Sequence, residues 1–141
     1  MKFKIEDCVI FEIPKFGNRE GYISSVSNKN EIPFEIKRVF YLYDIPMDES
    51  RGAHAHKECK QFLIAVSGSF QVEIFDGIKS EIITLNRPDQ GLLIPEGIWA
   101  SEVNFSNGAI CLVLASHSYD EFDYIRDLDT FINFRKTKKL N

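Results

Sequence analysis

The feature that most constrains this fold is a series of short runs of β-branched and aromatic residues, each ended by turn-forming residues. Gly, Pro, Asn and Asp separate these runs up to about residue 117, a pattern typical of an all-β sandwich or barrel. Prolines fall at the ends of the runs, where a missing amide donor does not interrupt a central ladder. The predicted strands cover residues 36–43, 61–66, 70–75, 78–85, 91–94 and 109–115.

Two local signals refine this pattern. Asp76-Gly77 lies between two predicted strands and favours a type I′ hairpin, because both residue types tolerate positive φ. From Ser118 onward the apolar spacing becomes helical, and Ser118 followed by Glu121 is typical of a capping box. We therefore predict one late helix over about residues 119–136. Its apolar stripe would contain Phe122, Ile125, Leu128 and Ile132.

The composition fits one domain. The 141 residues, 44% hydrophobic and 27% charged, suffice for one packed core and exclude a disordered chain. A net charge of −4 offers no positive field to nucleic acid or to an acidic membrane.

No apolar window approaches roughly 18 residues, and no signal-peptide core is present. Three cysteines without CxxC spacing favour a reducing compartment. We expect a cytoplasmic protein that binds neither nucleic acid nor membrane.

A His-x-His pair is the main candidate for chemistry. His54 and His56 are two residues apart, so on a strand both imidazoles point to one face. Such a pair presents two metal ligands or two acid–base groups to one cavity. Gln61 begins the next predicted strand and Gly68 ends it.

Two segments resemble the paired motifs of the cupin superfamily. The first runs from Arg51 through the histidines to Gly68, and the second runs from Gly91 to Ala100 with a Pro-x-Gly turn. Their order and spacing match a cupin barrel over about residues 36–115. The resemblance implies an all-β cupin jelly-roll barrel with a short C-terminal α-helix, in a single domain spanning residues 1–141.

Metal-binding cupins draw two histidines and a glutamate from the first motif and a further histidine from the second. This chain has Gln61 at the glutamate position and Ala100 at the last histidine position. Two imidazoles and an amide are a poor ligand set for Zn, Fe or Mn. We therefore expect no metal and no cofactor.

Three blocks resemble one cupin family more closely. They are RG-x-HAHK at residues 51–57, IKRVFY at residues 36–41 and YD-x-x-DYIR at residues 119–126. Together they are similar to the sugar-nucleotide 3,4-ketoisomerases, relatives of the metal-free dTDP-sugar 3,5-epimerases. The resemblance implies a homodimer that converts dTDP-4-keto-6-deoxyglucose to a 3-keto sugar. That product leads to dTDP-linked 3-amino-3,6-dideoxyhexoses for surface polysaccharide, such as lipopolysaccharide O-antigen.

The implied reaction needs proton transfer and no redox cofactor. Moving the ketone from carbon 4 to carbon 3 removes the carbon 3 proton, passes through an enediol(ate) and protonates carbon 4. Neutral imidazole suits such transfers. We predict that His54 and His56 share the carbon-proton and oxygen-proton transfers, in either order.

Further residues are candidates for holding the sugar nucleotide. Arg38 and Arg51 would take the diphosphate through their planar forks, or would form ordinary ion pairs. Tyr41 resembles a family aromatic that contacts sugar oxygens and is a third catalytic candidate, with core packing as its alternative. Strict alternation lets only one of Arg38 and Tyr41 face the cavity. The other binding candidates are Lys57, Gln61, Trp99 and Arg19. Trp99 follows the Pro-x-Gly turn at the expected cavity mouth, with core packing as its alternative. Gln61 would hold a sugar hydroxyl or satisfy backbone groups at a strand end.

Two positions depart from the family pattern. Ala100 follows Trp99 where members often have His, and Glu20 precedes Gly21 where members often have Arg. The configuration of the product, gluco or galacto, therefore stays open.

Other functions remain to be separated. A 3,5-epimerase needs a His base paired with an Asp and an opposing Tyr acid, a pattern that the sequence does not display. A sugar-sensing cupin would bind a dTDP-sugar without exchanging its protons. A metal-dependent cupin oxygenase or isomerase is disfavoured by Gln61 and Ala100. Within the dimer, residues 3–13 would form an edge strand, either exchanged with the partner or paired within the same chain.

Overall fold

The computed structural model describes residues 3–139 and the side chains of residues 3–137. Its strands form two five-stranded antiparallel sheets and a separate hairpin. The first sheet has the order β1 (Val9–Glu12), β9 (Gln90–Ile94), β6 (Gln61–Ser67), β11 (Ile110–Ala115), β4 (Arg38–Leu42). The second has the order β12 (Tyr124–Ile125), β5 (Arg51–His56), β10 (Trp99–Val103), β7 (Phe70–Phe75), β8 (Ser80–Leu85). The hairpin consists of β2 (Lys15–Asn18) and β3 (Gly21–Ser24).

The predicted all-β class with one C-terminal helix is confirmed, and each predicted strand is present. The two sheets are packed face to face as in a jelly roll and do not join into one continuous barrel within the described residues. The N-terminal segment forms β1 at the edge of the first sheet, where Val9 pairs with Leu93 of the same chain. Within this chain, the segment is therefore an internal edge strand.

The main core lies between the sheets because alternate residues of each strand point inward. Its fully buried members include Leu63, Val72, Ile74, Leu92 and Val113, and Phe70 stacks on Phe105 at 5.2 Å between ring centroids.

Two further clusters cover the outer faces of the sheets. On the first sheet, Phe62, Ile64 and Leu114 are buried by Ile32 and Phe34 from the segment before β4. This explains why β6 is buried on both faces over most of its length. On the second sheet, helix α1 (Leu128–Lys139) places Phe131 over Ala55.

The hairpin at Asp76-Gly77 is confirmed, but its turn is not type I′. Four residues connect Phe75 to Ser80, and only Gly77 among them has positive φ, at 97°. The Asp76 carboxylate closes the turn by accepting the backbone N–H groups of Ile78 and Lys79, both at 2.8 Å. An Asx-type turn satisfies these donors without requiring positive φ at Asp76.

The helix begins at Leu128, so the prediction of a start near residue 119 is wrong. Asp127 caps it by accepting the Thr130 N–H at 2.9 Å, whereas the predicted box at Ser118 does not form. Residues Glu121–Asp123 form a 3₁₀ turn, and Tyr124–Ile125 pair with β5 as β12. Tertiary strand pairing has overridden the local helical spacing. The predicted stripe residue Phe122 is accordingly exposed.

In residues 3–139, no helix is both long enough and apolar enough to span a lipid bilayer.

Candidate active site

The two histidines share one face, as their spacing predicts. They lie on β5, and their rings are 5.0 Å apart between centroids in an edge-to-face arrangement. Before them the strand bulges, because Gly52 and Ala53 both have positive φ, at 83° and 60°. The pairing of β5 with β10 shifts register at the same place, between Ala100 and Ser101. A bulge re-aims the side chains that follow it, here the two imidazoles.

His56 is held by Asp123, a residue to which the sequence analysis gave no role. Its Nδ1 lies 2.9 Å from Asp123 Oδ2, and both side chains are largely buried. Asp123 also accepts the backbone N–H of Glu58 at 2.7 Å, so the carboxylate is fixed from two directions. Burial lowers the pKa of His56, and the hydrogen bond that His56 donates to Asp123 opposes this shift. The neutral imidazole then donates Nδ1–H to Asp123 and leaves a lone pair on the buried, unpartnered Nε2.

His54 is the histidine that lines the cavity. Burial, followed by the neighbouring His56, lowers its pKa from 6.5 to about 4. Its Nδ1 is buried and has no hydrogen-bond partner in the described part of the chain. Near neutral pH His54 is therefore an uncharged imidazole with a nitrogen free to exchange a proton.

Tyr124 completes a three-ring cluster. Its ring centroid lies 4.9 Å from that of His54 and 4.4 Å from that of His56. The pairing of β12 with β5 produces this contact, because Tyr124 is opposite His56 in the register. The strand pair therefore delivers Asp123 and Tyr124 to the histidines together.

A cavity of about 430 Å³ opens between the sheets beside this cluster. Strand β4 contributes Arg38, Phe40 and Leu42, while Gln61 at the start of β6 adds a buried amide. The other lining residues are Ser50, Arg51, Gly52, His54, Glu102, Tyr119, Tyr124 and Arg126.

Three guanidinium groups line the cavity, and they differ in their pairing. Arg126 is bound by Glu121 through two hydrogen bonds of 2.6 and 3.0 Å. This contact and the Tyr119 hydroxyl lower the pKa of Glu121 to about 2. Arg38 and Arg51 have no carboxylate within 4.0 Å among the described side chains. Arg38 lies over the rings of Phe40 and Tyr119, at 4.5 and 5.1 Å. Two guanidiniums are thus available for an anionic ligand.

Four of the predicted site residues are not at the cavity. Tyr41 is 59% exposed on the outer face of β4, because Arg38, Phe40 and Leu42 occupy the inner face. Trp99 points out of the second sheet and packs on Phe131 of α1, with ring centroids 5.6 Å apart. Lys57 is exposed after β5, and Arg19 is exposed in the turn of the β2–β3 hairpin. The structure does bring together Arg38, Arg51, His54, His56 and Gln61.

Sequence reasoning missed several groups. Asp123, Tyr124 and Arg126 stand in the YD-x-x-DYIR block, where two Asp, two Tyr and one Arg in eight residues were the available signal. Assigning that block to a helix hid its role. Glu102 gave no signal beyond alternation, which places it on the same strand face as Ala100.

The donors at the cupin metal positions do not fit a metal. Two imidazoles, the Gln61 amide and the methyl group of Ala100 offer no carboxylate there. His56, Cys59 and Asp123 do place three ligand-type atoms within 4.8 Å of one another. Hydrogen bonds already engage them, however: Asp123 accepts two backbone N–H groups, and the Cys59 thiol donates to the Lys60 carbonyl at 3.4 Å.

Comparison with known proteins places this site in a family. The family model described as FdtA: WxcM-like, C-terminal, matches residues 6–136. The chain belongs to the FdtA family. A curated relative of this FdtA family chain is the TDP-4-oxo-6-deoxy-alpha-D-glucose-3,4-oxoisomerase of Aneurinibacillus thermoaerophilus. It is 38% identical over 122 residues, which cover 86% of this chain and 88% of the relative.

Solved structures agree with the FdtA family assignment. A 3,4-ketoisomerase from Helicobacter canadensis superposes with a TM-score of 0.90 at 45% identity, covering 92% of this chain and 98% of that one. A histidine-to-asparagine variant of the 3,4-ketoisomerase QdtA from Thermoanaerobacterium thermosaccharolyticum, in complex with TDP-4-keto-6-deoxyglucose, has a TM-score of 0.93. It is 34% identical, with 98% of this chain and 100% of that one covered.

Proposed function

We propose that this protein is a dTDP-sugar 3,4-ketoisomerase that moves the ketone of dTDP-4-keto-6-deoxyglucose from carbon 4 to carbon 3. The observation that carries the proposal is one cavity that combines a neutral histidine with guanidiniums that have no carboxylate partner among the described side chains. His54 lines this cavity beside His56, and Arg38 and Arg51 would bind the diphosphate. The activity of the relatives matches this combination.

In this mechanism His54 takes the carbon 3 proton. It is the histidine that lines the cavity, and its lowered pKa keeps the lone pair available. The electrons of the broken C–H bond form the enediolate and place negative charge on the carbon 4 oxygen. Asp123 fixes the imidazole of His56, which is the second acid–base group of the cluster and exchanges protons with the substrate beside His54.

The second candidate is a 3,5-epimerase, favoured by one observation. The sequence analysis found no His–Asp pair with a tyrosine, yet His56, Asp123 and Tyr124 form such a group. Tyr124 packs beside both histidines, however, whereas an epimerase acid must protonate the opposite face of the sugar. The ketoisomerase therefore accounts better for the arrangement.

The test is a proton NMR time course of dTDP-4-keto-6-deoxyglucose with chelator-treated enzyme in heavy water. A ketoisomerase yields a 3-keto sugar with deuterium at carbon 4, and the ring couplings give its gluco or galacto configuration. Deuterium at carbon 3 or carbon 5 with the ketone still at carbon 4 would instead identify an epimerase. Saturable binding with an unchanged spectrum would identify a sensor.

Histidine variants locate the chemistry. His54→Asn and His56→Asn are each expected to lower turnover by about 10²- to 10⁴-fold. His117→Asn is the matched control, because His117 is exposed and its Nδ1 contacts only Ser116 Oγ at 2.8 Å. Equal losses in all three variants would contradict the assignment.

We further propose that the protein works as a homodimer through the outer face of the first sheet. That face exposes Val39, Tyr41 and Val66, and Tyr43 lies 5.8 Å from Tyr41 between ring centroids. A row of exposed apolar groups of this kind is typical of an interface. Tyr41→Arg should shift sedimentation from dimer to monomer, and Ile78→Arg, an exposed apolar residue of the β7–β8 turn, should not.

The same proposal extends to the pathway. A ketone at carbon 3 is the group that an aminotransferase needs, so the product would feed cytoplasmic synthesis of dTDP-linked 3-amino-3,6-dideoxyhexoses for surface polysaccharide such as O-antigen. Deletion of the gene should remove that amino sugar from hydrolysed surface polysaccharide. An unchanged sugar composition would contradict this role.

A further inference from the structure

The cavity contains one ionisable group that the proposed mechanism does not use. Glu102 lies on β10, where Ala100 and Glu102 are buried and the residues between and beside them point outward. Its side chain faces the interior of the jelly roll and lines the same cavity as His54 and Gln61. Only 8% of Glu102 is exposed.

One oxygen of the Glu102 carboxyl has no hydrogen-bond partner among the described residues. This atom is the buried Oε2. The same oxygen lies against Gly52, where an added Cβ would collide with it. Gly52 also has φ +83°, so glycine is required there on two grounds. The bulge that aims His54 therefore also makes room for this carboxyl.

A buried polar atom without a partner costs stability, and such atoms in a native site call for an explanation. Burial raises the pKa of Glu102 to about 7, even though Arg51 acts in the opposite direction. The group is therefore protonated over much of the range near neutrality. A protonated carboxyl can donate through one oxygen and accept through the other.

The ketone shift requires two proton movements. One proton leaves carbon 3 and one arrives at carbon 4, which is the work assigned to the histidines. A second proton must leave the hydroxyl oxygen on carbon 3, O3, and arrive at the oxygen on carbon 4, O4. These two oxygens are neighbours, so one carboxyl group beside them can give a proton to O4 and take a proton from O3.

We propose that Glu102 is a catalytic residue that carries the proton from O3 to O4. The Glu102 O–H bond breaks as an O4–H bond forms, which neutralises the enediolate charge on O4. The O3–H bond then breaks as the Glu102 carboxylate takes that proton, and the carbon 3 carbonyl forms while carbon 4 is protonated. Glu102 ends the cycle protonated, so no outside donor or acceptor is needed. This inference rests on the proposed ketoisomerase activity.

The experiment compares the wild type with Glu102→Gln on dTDP-4-keto-6-deoxyglucose in heavy water. Glutamine keeps the volume and a donor but cannot pass a proton between two oxygens. We expect turnover to fall by about 10²-fold or more. His54 should still exchange the carbon 3 proton, so the recovered 4-keto substrate should contain deuterium at carbon 3. Glu73→Gln, on the exposed face of the adjacent strand β7, is the matched control with unchanged turnover.

Several outcomes would overturn the inference. Wild-type turnover in Glu102→Gln would remove Glu102 from the reaction, and parallel loss of exchange and turnover would place it at the carbon step. A wild type that makes no 3-keto sugar would instead overturn the proposed function itself, so the two failures are distinguishable.

A second measurement does not depend on the variant folding. Carbon-13 NMR of wild-type enzyme labelled at glutamate carboxyls should show one group that titrates near pH 7, and a Glu102 already ionised at about pH 5 would contradict the proposal. Turnover of the wild type should fall with rising pH as this group ionises. The residual turnover of Glu102→Gln should not show this decrease. The titratable and charged groups around Glu102 in the cavity and core are Arg38, Arg51, His54, Cys111, Tyr119, Tyr124 and Arg126.

Discussion

His56 and Asp123 lie 67 residues apart in the chain, yet His56 Nδ1 and Asp123 Oδ2 are 2.9 Å apart in the structure. The short strand β12 makes this contact possible by pairing Tyr124 with His56, which seats the preceding aspartate on the imidazole. A carboxylate at Nδ1 fixes both the ring orientation and the tautomer, and it leaves Nε2 as the reactive nitrogen.

Asp123→Asn tests that role. The amide can still accept the Glu58 N–H, but it stabilises neither the Nδ1–H tautomer nor an imidazolium as a carboxylate does. We expect turnover to fall by roughly 10²-fold with little change in KM. Steady-state kinetics and thermal unfolding of the variant, measured together, separate this effect from loss of the fold.

Asp127→Asn provides the comparison for that prediction. Asp127 caps α1 through two contacts of 2.9 Å with Thr130 and lies outside the cavity lining. Asparagine is a comparable cap, so stability should change by less than about 1 kcal/mol and turnover should be unchanged. A turnover loss equal to that of Asp123→Asn would mean that the whole segment, and not the His56 contact, is responsible.

The sequence predicted the sheets well because each strand carries its own signal. Alternation, turn residues and the His-x-His spacing are local, and they correctly placed β6 and β7 and put both histidines on one face. For β4 the sequence predicted part of the arrangement. Alternation allowed only one of Arg38 and Tyr41 to reach the cavity, and in the structure Arg38 lines it.

The remaining site depends on contacts that no local pattern encodes. The segment before α1 has helical spacing, but its pairing with β5 prevails and carries Asp123 and Tyr124 to the histidines. Trp99 illustrates the same limit, since the turn before it allowed either a cavity position or core packing, and in the structure α1 covers Trp99 from outside. The position of a helix on a sheet face is a tertiary property.

If Arg38 binds the diphosphate, changing Arg38 should weaken substrate binding and changing Lys57 should not. Arg38→Lys keeps the charge but loses the fork that can bind two phosphate oxygens and the contact with the Tyr119 ring. We expect KM for the dTDP-sugar to rise about 10-fold, which corresponds to about 1.4 kcal/mol. Lys57→Ala should leave KM unchanged, because Lys57 is exposed and lies outside the cavity lining. The reverse order of effects would move the diphosphate site away from β4.

Trp99→Leu should affect stability and spare substrate binding. Trp99 packs on Phe131 under α1, with ring centroids 5.6 Å apart, so truncation loosens the helix from the sheet. We expect a loss of about 1–3 kcal/mol in the free energy of unfolding, measured by urea titration, with KM unchanged. A large rise in KM without loss of stability would return Trp99 to the substrate site.

Glu102 also predicts a pH-dependent stability. Its pKa is raised from 4.5 to about 7 in the folded state, so between these values the folded chain retains a proton that the unfolded chain has lost. The wild type therefore loses stability as pH rises from about 4.5 to about 7, and burial of the ionised group keeps that cost at higher pH. Glu102→Gln removes the titration.

The stability gain of Glu102→Gln over the wild type should consequently be larger near pH 8 than near pH 5, by at least about 2 °C in Tm. Differential scanning calorimetry at the two pH values measures it. Glu73→Gln should change Tm by the same small amount at both pH values, because Glu73 is exposed. An equal offset for Glu102→Gln at both pH values would mean that this carboxyl ionises normally in the fold, which would remove the protonated donor that the O3-to-O4 transfer requires.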